Sequence, residues 1–206
     1  MIKKRQLAVF ALMCCAWGFC SCSKKEQVMV RPNFTKADSL MDTYLSLEDS
    51  IYKVWTVMIN DDNQKISAMH NLLHELKLTN AEEQETIRSF EDRLSKLSEL
   101  RYNQKSMAET DVVEEYDFAS NSMVTELTSL AEARTEFSYN TTLQKLVNDI
   151  LAADQRVENY RAQYDLIATR FNEFLEKNQS TLKDSGEDTA VQKKPLFQTT
   201  PETDTP

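Results

Sequence analysis

The chain has almost no glycine or proline. It holds 2 glycines and 4 prolines in 206 residues, and none of them falls between Asn33 and Ser185. A dinucleotide-binding turn, a phosphate-binding loop and a tight-turned β-sandwich each need these residues for special backbone angles. Their scarcity excludes those folds and favours long helices.

Histidine is equally scarce, with His70 and His74 as the only two. Their i, i+4 spacing could bind a metal from one helix face, but Asn-Leu-Leu lies between them, without the glutamate that a zinc protease uses as general base. The E-x-x-H pair typical of di-iron bundles is missing as well. We therefore predict no metal, no cofactor and no catalytic residue, and keep metal binding by this histidine pair as an alternative.

Residues 1–21 have the pattern of a signal peptide. Three basic residues, Lys3 to Arg5, precede an apolar run from Leu7 to Phe19, which is shorter than the roughly 20 residues of a spanning helix. The run ends at Ser21-Cys22, which resembles the lipobox of bacterial lipoproteins. We predict cleavage before Cys22, lipidation (palmitate included) of that cysteine and a tether over residues 22–33. An ordinary cleaved signal and an uncleaved anchor are the alternatives.

Cleavage there would make the chain strongly acidic. It would leave 21 basic and 33 acidic side chains, a formal charge of −12. Such a chain is repelled by phosphate backbones, so nucleic acid is not an expected partner. The expected partners are the membrane, through the lipid, and an envelope protein or a second copy of the chain. Because Ser23 and not aspartate follows the cysteine, we predict the outer membrane as its place in the cell envelope.

Residues 34–178 are predicted to form four amphipathic helices. Helix starts are indicated by Thr35-x-x-Asp38, Thr79-x-x-Glu82, Asp111 and Thr141-x-x-Gln144, since such residues cap helix N-termini. Apolar residues then recur every three or four positions, which places them on one face of each helix. The fold class is thus all-α, an antiparallel up-down-up-down four-helix bundle with coiled-coil-like packing, whose first and fourth helices exceed 40 residues. Residues 179–206 are rich in threonine, proline and acid, which predicts a disordered tail. Docking of the short apolar patch Pro195-Leu-Phe197 back onto the bundle is the alternative.

Four polar residues fall on the core-facing phase of these helices: Asp62, Asp154, Arg161 and Tyr164. We predict a polar layer in which Asp62 pairs with Arg161, with Tyr164 nearby. Asp154 lies seven residues from Arg161, about 10.5 Å along one helix, too far to be its partner. Such a layer either fixes the helix register or forms a ligand-binding pocket.

The fourth helix carries a family resemblance. Residues of this helix and of the first stand where the LemA family has its pattern: Trp55, Met69–Lys77, Glu132, Phe137, Leu143, Leu146, Asp154–Val157, Arg161, Tyr164 and Asn172. Over residues 45–178 the chain resembles that family. The resemblance implies a membrane-anchored antiparallel helical bundle and no established chemistry.

These features predict a non-catalytic, lipid-anchored envelope protein that acts as a helical scaffold or protein-interaction module. The alternative is a ligand- or metal-binding envelope protein that uses Asp62 and Arg161, or His70 and His74. A metal-dependent hydrolase is disfavoured because a third ligand is missing.

Overall fold

The computed structural model describes residues 35–79, 84–184 and 192–198. Within these ranges the chain is all-helical and contains no strand, which confirms the predicted fold class at that level. The four α-helices are α1 (Lys36–Thr79), α2 (Gln84–Glu99), α3 (Thr110–Glu132) and α4 (Thr141–Asp184), with short 3-10 helices at Ser106–Ala108 and Thr135–Ser138. None of the helices described is long and apolar enough to cross a bilayer. The predicted signal peptide, Cys22 and the tether lie outside the described residues.

One predicted helix start is confirmed and two are corrected. Thr35 and Asp38 form a reciprocal cap, since the Thr35 N–H donates to the Asp38 carboxylate at 2.8 Å and the Asp38 N–H donates to the Thr35 hydroxyl at 3.2 Å. At α4 the capping side chain is Asn140 rather than Thr141, because the Asn140 amide oxygen accepts from the N–H groups of residues 142 and 143. At α3, Asp111 lies inside the first turn and makes no cap. The Thr79-x-x-Glu82 box extends beyond the described residues.

α1 and α4, with 44 residues each, extend for about 66 Å and pack against each other along much of that length. Tyr44 meets Phe171, Trp55 meets Tyr164, and the Lys65 ammonium lies 3.3 Å from the Asp154 carboxylate. Residue numbers thus rise along α1 as they fall along α4. The predicted length of these two helices is confirmed.

The apolar faces collect in two clusters. The first cluster joins all four helices and contains, among others, Met69, Leu94, Leu127 and Ile150. The second lies on the first half of α1 and the second half of α4, and it includes Met107 of the first 3-10 helix. Because α2 and α3 are shorter, with 16 and 23 residues, they cover the α1 and α4 faces mainly in the first cluster.

The C-terminal tail differs from its prediction. α4 continues to Asp184, beyond the predicted end at residue 178, and residues 192–198 lie on α1 and α4 with Leu196 and Phe197 packed against the second cluster. The prediction of a disordered segment from residue 179 is therefore wrong for both stretches. The physical reason is that two helices alone cannot bury their facing apolar stripes, so a third element covers them.

Candidate functional site

A layer of charged side chains separates the two apolar clusters. On α1 it occupies the turn from Asp61 to Lys65, whose side chains are 11% and 3% exposed. The Lys65 ammonium donates to the Ser120 hydroxyl at 2.9 Å and to the Asp154 carboxylate at 3.3 Å. A charge this far from water is tolerated only when it is paired and hydrogen-bonded, which these contacts provide.

Asp62 is the carboxylate at the centre of the layer. It accepts the Tyr116 hydroxyl at 2.7 Å and the Arg101 guanidinium at 2.9 Å, and it lies 3.6 Å from the Lys65 ammonium. Its side chain is 12% exposed. Two hydrogen-bond donors, from α3 and the segment after α2, and one cation of α1 at ion-pair distance thus converge on one carboxylate.

The predicted pairing of Asp62 with Arg161 is wrong. The Arg161 guanidinium instead donates two hydrogen bonds to the Asp117 carboxylate, at 2.7 and 2.6 Å. It donates a third to the Tyr102 hydroxyl at 3.0 Å. The prediction considered only the facing midpoints of α1 and α4. It missed Arg101, Tyr102 and Asp117, which come from the end of α2 and from α3 and supply the nearer counter-charges.

The predicted layer nevertheless contains one cavity of about 440 Å³. Asp62, Asp154 and Arg161 all line it, as do Lys65 and Asp117. Its charged wall consists of four acidic and three basic side chains: Asp62, Lys65, Arg101, Asp117, Asp154, Glu158 and Arg161. The cavity therefore brings together three of the four predicted residues, with partners that differ from the predicted ones.

Tyr164, the fourth predicted member, lies outside the cavity wall in an aromatic cluster. Its ring centroid is 5.6 Å from that of Trp55 and 5.5 Å from that of Phe197. The side chain is fully buried, and its hydroxyl finds no hydrogen-bond partner among the residues described. An unpaired buried hydroxyl costs free energy, since it has lost its bonds to water.

Burial also keeps the phenols around the cavity neutral. It raises the pKa of Tyr116, and the negative charge of Asp62 adds to that effect. Burial likewise raises the pKa of Tyr102. Tyr116 therefore acts as a hydrogen-bond donor to Asp62 over the ordinary pH range.

The histidine pair does not form a comparable site. His70 and His74 are both exposed on α1. In the ranges that the structure covers, no group of three or more histidine, cysteine or acidic side chains could hold a metal ion. Their helical spacing remains the single feature in favour of metal binding.

Comparisons with known proteins do not assign the chain to a family. No family model, no curated protein and no solved structure matches the chain. The function is therefore argued from the site itself.

Replacing Tyr164 with phenylalanine is expected to raise the free energy of unfolding by about 1–3 kcal/mol, because it removes a buried hydroxyl that has no partner. The ring contacts to Trp55 and Phe197 stay in place. Urea unfolding followed by circular dichroism measures the change. Tyr116→Phe is the matched control, and it should destabilise the protein because its hydroxyl is bonded to Asp62. A loss of stability in Tyr164→Phe would contradict the assignment.

Alkaline pH is expected to destabilise the protein through the same residue. Burial, with a contribution from the charge of Asp165, raises the pKa of Tyr164 from 10.0 to about 12. Between these values the unfolded chain has released a proton that the folded chain still holds, so stability falls as pH rises. The wild-type protein should lose up to about 1.4 kcal/mol per pH unit more than Tyr164→Phe in this window. Urea unfolding across the pH range tests this, and equal slopes for the two proteins would contradict it.

Proposed function

We propose that the protein is a non-catalytic helical scaffold or protein-interaction module, lipid-anchored at Cys22 in the cell envelope and similar to the LemA family. In this proposal the four helices form an antiparallel up-down-up-down bundle. Two features support the arrangement. The contacts between α1 and α4 run in opposite residue order, and α1 ends only a few residues before α2 begins, as in bundles of antiparallel neighbours.

The observation that carries the proposal is that three of the four carboxylates of the polar layer are held in ion pairs. Asp62 pairs with Arg101 and Lys65, Arg161 pairs with Asp117, and Lys65 also reaches Asp154. A general acid or base must be able to exchange a proton with a substrate, and carboxylates held in ion pairs are poorly suited to that task. Buried pairs of this kind align helices with one another, which is what a scaffold needs.

Lipid anchoring is tested with the Cys22→Ser variant. The wild-type chain should fractionate with membranes and carry acyl chains on an N-terminal Cys22, as measured by mass spectrometry of the N-terminal peptide. The variant should retain residues 1–21 and carry no lipid. A wild-type chain that is cleaved elsewhere, or that lacks acyl chains, would contradict the anchor.

The scaffold role is tested by cross-linking in native envelopes. A stoichiometric protein partner should be recovered with the wild-type chain and lost with Cys22→Ser, because the lipid places the module beside its partner. Recovery of the chain alone would contradict the role as an interaction module.

A second candidate function is the binding of a small ligand in the cavity. Its volume of about 440 Å³ lies in the range of roughly 300–1,000 Å³ that is usual for ligand pockets. The Nε atoms of Arg101 and Arg161 are buried and have no hydrogen-bond partner among the residues described. A carboxylate or phosphate oxygen could satisfy them. Native mass spectrometry of the purified protein, with Arg161→Met as control, tests ligand binding in the cavity. Elemental analysis of the same preparation tests metal binding at His70 and His74.

A further inference from the structure

The tail segment, residues 192–198, is held by side chains of α1 and α4. We call the surface beneath it the tail groove and define it by Glu48, Trp55, Arg161, Asp165, Asn172 and Glu176, together with Tyr102. The segment runs back along α4, since Lys193 meets Glu176, Lys194 meets Asn172, and Phe197 meets Asp165. It contains no regular helix or strand. Its contacts are those of an extended peptide on a preformed surface.

Two side chains of α4 bind the backbone of the segment. The Asn172 amide donates to the Lys194 carbonyl and accepts the Lys194 N–H, each at 2.8 Å. The Asp165 carboxylate accepts the N–H groups of Phe197 and Gln198 at 2.8 and 3.0 Å. Backbone groups are common to all peptides, so these four bonds recognise an extended chain whatever its sequence.

An aromatic pocket supplies specificity at one position. The Phe197 ring stacks on Trp55 with a centroid distance of 6.4 Å and meets the edges of Tyr102 and Tyr164 at 5.9 and 5.5 Å. The Arg161 guanidinium carbon lies 4.8 Å from the centre of the same ring. Aromatic edges and a cation together favour an aromatic side chain over an aliphatic one.

The charge of the groove selects basic neighbours. Glu176 pairs with Lys193, and Glu48 pairs with Lys194 at 3.2 Å. The Lys194 ammonium also lies 5.2 Å from the centre of the Phe171 ring. With Asp165, the groove offers three carboxylates to an incoming peptide, on a chain of net charge −9. Charges of one sign on a binding surface favour a partner of the other sign.

We propose that the tail groove is a peptide-binding site whose resident ligand is the chain's own tail segment. Its external partner is an extended peptide with two adjacent basic residues and an aromatic residue three positions after the second. This inference deepens the proposed interaction module and rests on that function. Tethering gives the tail an effective concentration of about 1 mM, while only Leu196 and Phe197 of the segment join the apolar cluster. A partner peptide that binds the groove more tightly than the tail can therefore displace it.

The test is a peptide titration on the full chain in detergent micelles. The probe is a fluorescent peptide of residues 190–200, AVQKKPLFQTT, and binding is followed by anisotropy. Phe197→Ala in the protein weakens the resident ligand and leaves the groove intact. We expect the peptide to bind this variant about tenfold more tightly than the wild-type chain, because the competing tail is removed. The same peptide with Phe197→Ala should not bind. Equal affinity for the two proteins, or no binding to the variant, would overturn the proposal.

Backbone recognition has its own controls. Adding Asn172→Ala to the Phe197→Ala protein should weaken the peptide about tenfold, since two hydrogen bonds are lost. Asn159→Ala is the matched change on α4 outside the groove and should have no effect. A peptide methylated on the backbone nitrogen of Lys194 cannot donate its N–H to Asn172. It tests the same contact without altering the protein, and it should also bind weakly. Unchanged binding of the methylated peptide would overturn the assignment.

Two further measurements separate this proposal from its rivals. Native mass spectrometry of the wild-type chain should show a monomer; a dimer that Phe197→Ala abolishes would mean that the tail binds a second copy, which would overturn the external partner. Peptide binding in micelles does not depend on acylation of Cys22. A peptide that fails to bind in the titration thus contradicts the peptide-binding site in the tail groove. A Cys22 without acyl chains contradicts only the lipid anchor.

Discussion

Replacing Asp62 with alanine is expected to lower the free energy of unfolding by about 3–5 kcal/mol, because it removes the buried carboxylate on which Arg101, Lys65 and Tyr116 converge. Lys65, whose side chain is 3% exposed, loses one of its two neighbouring carboxylates and keeps only Asp154 at 3.3 Å. The variant also strands one hydrogen-bonding group of Arg101 and the Tyr116 hydroxyl. Lys65 and Tyr116 are buried, so each keeps a desolvation cost that Asp62 now offsets. Urea unfolding followed by circular dichroism gives the change directly.

The neighbouring carboxylate provides the matched control. Asp61 lies one residue away on the same helix and bonds a single partner, Arg156, at 2.6 Å. The side chain of Arg156 is 45% exposed, so water can solvate it when Asp61 is removed. Asp61→Ala should therefore cost only about 1 kcal/mol. Equal losses for the two variants would show that the polar layer does not depend on convergence at Asp62.

The helices could be predicted from the sequence because each amphipathic stripe is a local pattern. Ile87, Phe90, Leu94 and Leu97 recur at helical spacing, and all four are buried in α2. The same logic selected Asp62, Asp154 and Arg161, since a charge on the core-facing phase must meet a partner inside. Helical phase thus selects three residues that line one cavity.

The partners within the layer could not be predicted in the same way. Asp62 has a choice of cations, and the choice depends on where the end of α2 places Arg101. That position depends on how the helices pack together, and the spacing of residues along one helix does not predict it. A signal was present in the sequence, because Arg101 directly follows the apolar Leu100, just after the end of α2, and Asp117 directly follows the buried Tyr116.

The tail was mispredicted because composition averages over a whole segment. Residues 179–206 are polar on average, yet two adjacent apolar side chains, Leu196 and Phe197, suffice to cover the exposed part of the second cluster. The helix lengths indicate that a further segment must cover part of the apolar surface. Two helices of over 40 residues beside two shorter ones leave part of their facing stripes uncovered, and a short apolar pair is what such a surface requires.

The same cluster gives the second large effect. Phe171→Ala is expected to lower the free energy of unfolding by about 3–5 kcal/mol, since it opens a cavity at a fully buried aromatic position. Phe171 is 0% exposed. Its ring packs against Tyr44 at 5.6 Å between centroids, and the Lys194 ammonium of the tail lies over its face. The change removes a buried ring from the second cluster, and it also removes the contact of that ring with Lys194 of the tail.

Phe118→Ala is the matched control for this change. Phe118 is 79% exposed on α3, so its truncation should stay within about 0.5 kcal/mol of the wild-type stability. Tail docking separates two explanations of a loss in Phe171→Ala. If Phe171 acts only through the α1–α4 contact, the Phe197→Ala change should cost the same in the wild-type and in the Phe171→Ala background. If the tail rests on Phe171, the two losses will not add, because both changes act on the same docked segment and coupled sites are not additive. The structure predicts the second outcome, and additive losses would contradict the docking of the tail on this cluster.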